Sequence, residues 1–480
     1  MSALTVFIVV AGYFAVLMLV ARLTSGKGDS KAFFQANKQA PWYLVAFGMI
    51  GATLSGVTFI SVPGEVGNTA FYYLQFVLGN LVGYWIIAFV LLPIYYGMGL
   101  VSIYSFLGER IGPRAHKAGS VLFLVSRVVG ASFRLFLVAG VLQIAFFDQF
   151  NIPFAVTVAV SIGLIWLYTF KGGIKTIVWT DTLQTTFILL AVGFSIYEIS
   201  SQLDWNASEV FAGIIDHPNS KIFNWDFKSA SFFGKQFIAG IFMTIVMNGL
   251  DQDVMQKNLT CKNRKEAQKN MLWFSVVFAL SVTFFLGLGV LLYKFAEVQN
   301  IVIPELSDDL FPLIAMNHLS LTAGILFLIG IVAAAYSSAD SALTSLTTSY
   351  CVDIAHIEKF EAKKQNSYRK KVHLAFSLIL LVVVLIFREI NDNSVVVALF
   401  KFAGYTYGPL LGLFAFSLFM KRACNDRFVP AICILAPILT YVITAVVETI
   451  FADFKFGFEV LILNGVITWL GLLLFSKKNA

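Results

Sequence analysis

Charge is scarce in this sequence: Asp, Glu, Lys and Arg make up 13% of its 480 residues, about half of what an ordinary soluble domain carries. A surface so poor in charge excludes a water-soluble globular domain and a disordered chain alike. Cysteine is also rare. The four present, Cys261, Cys351, Cys424 and Cys433, lie in or beside segments that the charge pattern places in the cytoplasm, Cys433 within a helix, so no disulfide is expected and a disulfide scaffold is excluded. The five histidines, His116, His217, His318, His356 and His373, read as loop or helix-edge residues. With no HExxH motif and no Ser–His pair at membrane depth, an intramembrane hydrolase is disfavoured for want of an embedded histidine. No GxxxxGK[ST] loop supports ATP-driven chemistry. The cytoplasmic loops and the tail after Phe475 are too short for a fused signalling module.

Apolar residues are abundant. They form 58% of the chain, mean hydropathy is +0.81, and runs long enough to cross a bilayer as helices recur throughout. About thirteen are read: Ala3 to Ala21, Trp42 to Pro63, Phe71 to Met98, Ala118 to Phe147, Pro153 to Phe170, Thr176 to Ile199, Phe232 to Leu250, Met271 to Phe295, Leu321 to Tyr350, Leu374 to Phe387, Val395 to Phe419, Pro430 to Phe451 and Val460 to Phe475. The expectation is an all-α polytopic membrane protein whose surface partner is the lipid bilayer.

A formal net charge of +7 invites a nucleic-acid reading. The basic residues instead alternate with the spans. With the N-terminus outside, 25 of the 34 Lys and Arg fall in cytoplasmic loops, among them Lys27, Lys31 and Lys38 after the first span and Lys257 to Lys269 after the seventh. The opposite loops carry Asp204, Glu209, Asp216 and Asp226, then Glu297, Glu305, Asp308 and Asp309. The positive-inside rule gives an outside N-terminus and a cytoplasmic C-terminus, so the basic excess is topology and no nucleic-acid partner is expected. The first span lacks a basic leader and reads as a retained helix rather than a signal peptide.

Polar residues at membrane depth carry the functional signal. The second span crowds Gly48, Gly51, Thr53, Ser55, Gly56 and Thr58 at its middle, either a close helix-packing face or an unwound segment facing a cavity. The seventh has a matching interruption, VMNGLDQDVMQ, five spans later, the register two inverted five-helix repeats require. The ninth sets Ser337, Asp340 or Ser341, Thr344 and Thr348 on one face, flanked by Ser338, Ser345 and Thr347. A hydroxyl ladder bonded to its neighbours is one reading. Asp340 favours an ion path, since a carboxylate at that depth costs about 2.5–3.5 kcal/mol or more, and hard oxygen ligands suit a small hard cation. Asp181 is either a solvated residue at the cytoplasmic edge of span 6 or a second ion ligand. Arg127 and Arg134, seven residues apart on one face of span 4, either reach an interface, pair with a carboxylate, or grip an anion bidentately.

The hydroxyl stripe, together with GGIKTIVWTDTLQ and DQDVMQKNLTCKNRKEAQKN, resembles the sodium/solute symporter family over nearly the whole chain. The pattern is closest to the branch holding bacterial sodium-coupled sialic acid symporters. The resemblance implies a leucine-transporter-like fold: an extra helix at 1–23, five-helix repeats at 42–200 and 232–420 in inverted orientation, and two further helices at 428–476. It implies a sodium-coupled importer of an organic solute, a sialic acid or another sugar acid, with a neutral sugar or polyol, a small carboxylate or an amino acid as alternatives. Localisation would be the plasma membrane, the inner membrane if the source is bacterial.

Carried over residue by residue, a first Na+ site would use carbonyls of Gly51, Leu54 and Ala334 with hydroxyls of Ser337 and Ser338. Glycine in place of alanine at position 51 should matter little to a carbonyl ligand. A second Na+ site would fall on Asp181, Ser337, Asp340 and Ser341. There the chain departs from the branch, which has serine where Asp340 stands, so Asp340 would tighten sodium, carry a proton or neutralise an arginine. Solute would meet Thr53, Ser55, Thr58, Tyr73, Gln75, Phe76, Asn80 and Arg134, with Tyr405 and Tyr407 as gates.

Overall fold

The computed structural model describes residues 3–24, 40–390, 395–451 and 454–478. Lys27, Lys31 and Lys38 lie outside them. Apolar runs become helices because a backbone in hydrocarbon must satisfy its own hydrogen bonds. In chain order the main helices are α1 (Ala3–Thr24), α2 (Trp42–Thr53), α3 (Gly56–Thr69), α4 (Tyr73–Ile86), α5 (Pro113–Ala145), α6 (Phe154–Gln202) and α7 (Phe233–Thr244). They continue with α8 (Gln252–Asn258), α9 (Arg264–Val298), α10 (Leu321–Ser349), α11 (Ala362–Ile390), α12 (Val395–Phe419), α13 (Val429–Ile450) and α14 (Val460–Leu474). Apart from these and shorter helical turns, Arg422–Cys424 pairs antiparallel with Ser476–Lys478 in a small ribbon.

Every expected apolar run falls on helix, yet the count differs from thirteen. Among the described residues nine helices are individually long and apolar enough to cross a membrane, ten if the bent pair 233–249 and 252–258 is one span. The difference is physical. The second run is broken into α2 and α3, the third continues from α3 without a long break, the fifth is only the short apolar stretch Phe154–Thr169 at the start of α6, and α14 has only 15 residues. Large apolar side chains such as Phe89, Leu190, Phe284 and Tyr441 are exposed along the outer faces, as a lipid-facing surface requires.

At the centre, α10 packs most extensively on α6, while α2 also lies along α6, α3 against α9, and α4 against α7. The α4–α7 approach is backbone to backbone: a Cβ at Gly79 would stand 2.1 Å from Phe237 O, and one at Gly240 2.2 Å from Phe76 O. α10 is buried from Gly330 through Ser349.

One histidine expectation is corrected here. Because α11 begins at Ala362, His373 lies inside the helix and is 2% exposed. Its two ring nitrogens lie 3.0 Å from the hydroxyls of Thr169 and Thr347, so it bridges α6 and α10 as a packing residue. All four cysteines are free and buried.

Candidate functional site

Two helix breaks face the bundle interior, and their backbone oxygens have different fates. At the first, Leu54 (φ −72°, ψ 65°) and Ser55 (φ −68°, ψ 173°) leave helical geometry. The Ser55 N–H donates to Thr53 O at 2.8 Å, so Gly51 O loses the donor four residues on that a continuous helix supplies. The Ser338 hydroxyl, from α10, donates to the neighbouring Ala52 O at 3.1 Å. At the second break, the Tyr95 hydroxyl donates to Gly249 O (2.9 Å) and the Tyr104 hydroxyl to Leu250 O (3.0 Å), while the Asp251 carboxylate caps the Asp253 N–H at 2.8 Å. Two carbonyls of the second break are thus taken by tyrosine side chains. The first break offers oxygen to a cation, next to Ser337 and Ser338, both fully buried.

The glycines at the first break serve packing as well as unwinding. A Cβ at Gly51 would stand 2.3 Å from the Thr185 hydroxyl and 3.1 Å from its N, and Gly51 N–H donates to that hydroxyl at 2.9 Å. Beyond any carbonyl it offers an ion, glycine at position 51 thus lets α2 lie this close to α6, where an alanine would require Thr185 to shift.

Asp181 is not a solvated edge residue. It is fully buried on α6, its Oδ1 accepts the Ser337 hydroxyl at 2.6 Å, and its Oδ2 lies 2.7 Å from the Lys257 ammonium. Lys257, expected in a cytoplasmic loop, is 2% exposed, because the chain bends by 69° at the second break and α8 turns back into the bundle. Asp340 pairs with neither arginine: the Tyr168 hydroxyl donates to its Oδ2 at 2.8 Å. Its Oδ1, the Ser341 hydroxyl and the Thr344 hydroxyl are buried without a hydrogen-bond partner among the described residues. Of the four second-site residues, Asp181 and Ser337 are thus bonded to each other, and Asp340 turns to Tyr168.

A cavity of about 880 Å³, its mouth included, lies beside the first break. Thr53, Ser55, Thr58, Tyr73, Phe76, Asn80 and Arg134 line it, as do Arg127, Asp253 and Lys257. Gln75 does not. Its amide donates to Tyr72 O (3.1 Å) and Ser231 O (3.0 Å) and accepts the Asn224 N–H (3.1 Å), which ties down the loop before α7. One residue from Phe76 on a helix, it faces about 100° away.

The two arginines of α5 separate by partner. Arg127 is ion-paired with Asp253 and lies 4.0 Å from Asp251, whose Oδ2 also accepts the Tyr407 hydroxyl at 2.7 Å. Arg134 has no ion-pair partner among the described residues, and its Nε is buried without a hydrogen bond. It is the cavity-lining cation left for an anionic guest. Of the two gate tyrosines, neither lines this cavity: Tyr407 hydrogen-bonds Asp251 and lines a smaller hollow with Arg127 and Arg134. Tyr405 faces away from the cavity, its hydroxyl 3.5 Å from that of Thr444 and its ring 6.3 Å from Tyr441, since positions two apart on a helix point in nearly opposite directions.

Sequence reasoning missed Thr244, Met247, Asn248, Lys257 and Phe400, all cavity-lining. The interruption in span 7 was the signal for Asn248 and its neighbours. Phe400 had none, standing in an unbroken apolar run. A second hollow, lined by Ser61, Glu65, Thr69, Tyr72, Ser231 and Gln236, shares Val62 and Tyr73 with the first and leads toward the loops after α3 and before α7.

Comparison with known proteins gives these features a context. The sequence model of the sodium:solute symporter family matches residues 33–427. The sodium/sialic acid symporter NanT of Aliivibrio fischeri is 23% identical over 455 residues, 92% of this chain and 87% of the relative. The sodium/sialic acid symporter SiaT of Proteus mirabilis is 23% identical over 430 residues, 87% and 85% of the two chains. Among solved structures, a Na+-coupled sialic acid symporter in a substrate-bound outward-open state superposes with a TM-score of 0.82 at 19% identity, covering 99% of both chains. That likeness shows the fold, a leucine-transporter-like helical bundle.

Proposed function

The chain belongs to the sodium:solute symporter family, and on that premise we propose that this multi-pass, sodium-coupled transporter imports a sialic acid or a closely related sugar acid by alternating access. One observation carries the choice of an acid: Arg134 faces the cavity with no ion-pair partner among the described residues. A planar guanidinium in that position matches a carboxylate bidentately. The hydroxyls of Thr53, Ser55 and Thr58, the Asn80 amide and the Tyr73 and Phe76 rings supply hydrogen bonds and apolar walls for a polyhydroxylated guest.

The first Na+ is assigned to the carbonyls of Gly51, Leu54 and Ala334 and the hydroxyls of Ser337 and Ser338. Supporting this are the freed Gly51 carbonyl and the Ser338 hydroxyl at the break. Because this site and the cavity share the α2–α3 break, a bound ion would hold in place the residues that meet the solute. A tenfold sodium gradient and 100 mV together supply roughly 3.7 kcal/mol per ion, enough for about 500-fold accumulation.

The repeats are assigned to 42–200 and 232–420, each with its broken helix in the corresponding position. Orientation follows the charge pattern, with the N-terminus outside, the C-terminus in the cytoplasm and the protein in the plasma membrane, the inner membrane in a bacterium. The hollow leading from the cavity toward Glu65 and Ser231 then opens outward, as import requires. In proteoliposomes with an inward sodium gradient, labelled sialic acid should enter and compete with other sugar acids, while hexoses and polyols should not. Sodium-driven entry of a neutral sugar with no uptake of the acid would transfer the assignment to the neutral alternative.

A further inference from the structure

We infer that Lys257 is a built-in cation whose ammonium holds the place at Asp181 that a second sodium would need, so that one Na+ accompanies each solute. The inference deepens the symport reading above and rests on it.

Three observations lead there. First, both oxygens of Asp181 are engaged: Oδ2 by the Lys257 ammonium at 2.7 Å and Oδ1 by the Ser337 hydroxyl at 2.6 Å. A sodium ion at this carboxylate would have to stand beside an ammonium already there, in surroundings where like charges are poorly screened. Second, the lysine is placed by the fold. It comes from α8, which the 69° bend at the second break turns inward, and only 2% of it is exposed. Third, the charges balance with one ion. With their carboxylates ionised, Asp181 and Asp340 bring two negative charges to the meeting of α6, α8 and α10, Lys257 brings one positive, and the neighbouring Arg127–Asp253 pair cancels itself. The ligands assigned to the first Na+ are all neutral, so one ion brings the cluster to zero and a second would leave an uncompensated positive charge in a dry interior.

This gives Asp340 a reason to be acidic. Standing where the resembling branch has serine, and with Lys257 already matched by Asp181, it supplies the negative charge that the single sodium needs. It need not add a ligand to a second ion: the Tyr168 hydroxyl donates to its Oδ2, and its Oδ1 has no side-chain partner among the described residues.

The test is the reversal potential of solute-coupled current in proteoliposomes, measured over a range of sodium and solute gradients, which yields the ion:solute ratio directly. Wild type should give one sodium per solute, and a ratio of two overturns the inference. Lys257→Gln frees Asp181 and should raise the ratio toward two; a ratio still at one in that variant overturns the role of Lys257. Asp340→Asn probes the charge balance without touching the Asp181 pair. It should keep the ratio at one and raise half-saturating sodium severalfold, whereas unaltered sodium affinity overturns the balance argument. The wild-type ratio needs no variant to fold. A complete absence of sodium dependence would overturn the symport reading itself, an outcome distinct from a ratio of two.

Discussion

Replacing Arg134 with alanine is expected to weaken solute binding roughly ten- to hundredfold, the loss of one charge-assisted, bidentate contact worth about 1.5–3 kcal/mol. Arg134→Lys keeps the charge but not the planar fork and should fall between wild type and alanine. The folded protein should tolerate both changes, because Arg134 has no ion-pair partner among the described residues to leave stranded. Equilibrium binding of labelled sialic acid in sodium buffer, with melting temperature as the control, separates the two effects. Normal affinity in Arg134→Ala, with lost affinity in Arg127→Ala, would reverse the roles of the two arginines.

Arg127 should behave in the opposite way. Its pairing with Asp253 joins α5 to α8 in the interior, beside Asp251 and the Tyr407 hydroxyl of α12. Removing one partner of a buried pair strands the other, at a cost of about 3–5 kcal/mol. Arg127→Met and Asp253→Asn should each lower the melting temperature in detergent sharply, while the double variant recovers part of the loss, since Asp253 is no longer stranded although Asp251 still loses Arg127. Additive losses in the double variant would mean that the two side chains do not act as a pair.

The sequence made the membrane fold legible because bilayer hydrocarbon permits few solutions: an apolar run must be helix, and Gly, Ser and Thr crowded at its middle need partners that lipid cannot give. Hence the crowding around Leu54–Ser55 marks either a packing face or a break, and the shared face of Arg127 and Arg134 follows from spacing, whereas α10 proves buried on all sides from Gly330 to Ser349. What remained hidden depended on which way the chain turns after a break. Lys257 reads as one more loop lysine in DQDVMQKNLTCKNRK until α8 is seen to bend back, and Asp181 reads as an edge residue until that lysine meets it. Gln75 lies off the cavity for a simpler reason: a helix passing a cavity presents one face, and neighbouring positions along it diverge by 100° per residue. His373 was misplaced because α11 begins well before its apolar run.

The claim at the centre of this account is that a sodium ion at the α2–α3 break drives solute uptake, and the initial rate of uptake into proteoliposomes as a function of external sodium tests it most directly. Wild type should show negligible uptake without sodium and a saturable rise with it. Ser338→Ala, which deletes the hydroxyl 3.1 Å from Ala52 O, should shift half-saturation to severalfold higher sodium while leaving the protein folded. Uptake that proceeds at full rate without sodium, or a sodium dependence identical in wild type, Ser337→Ala and Ser338→Ala, would contradict it.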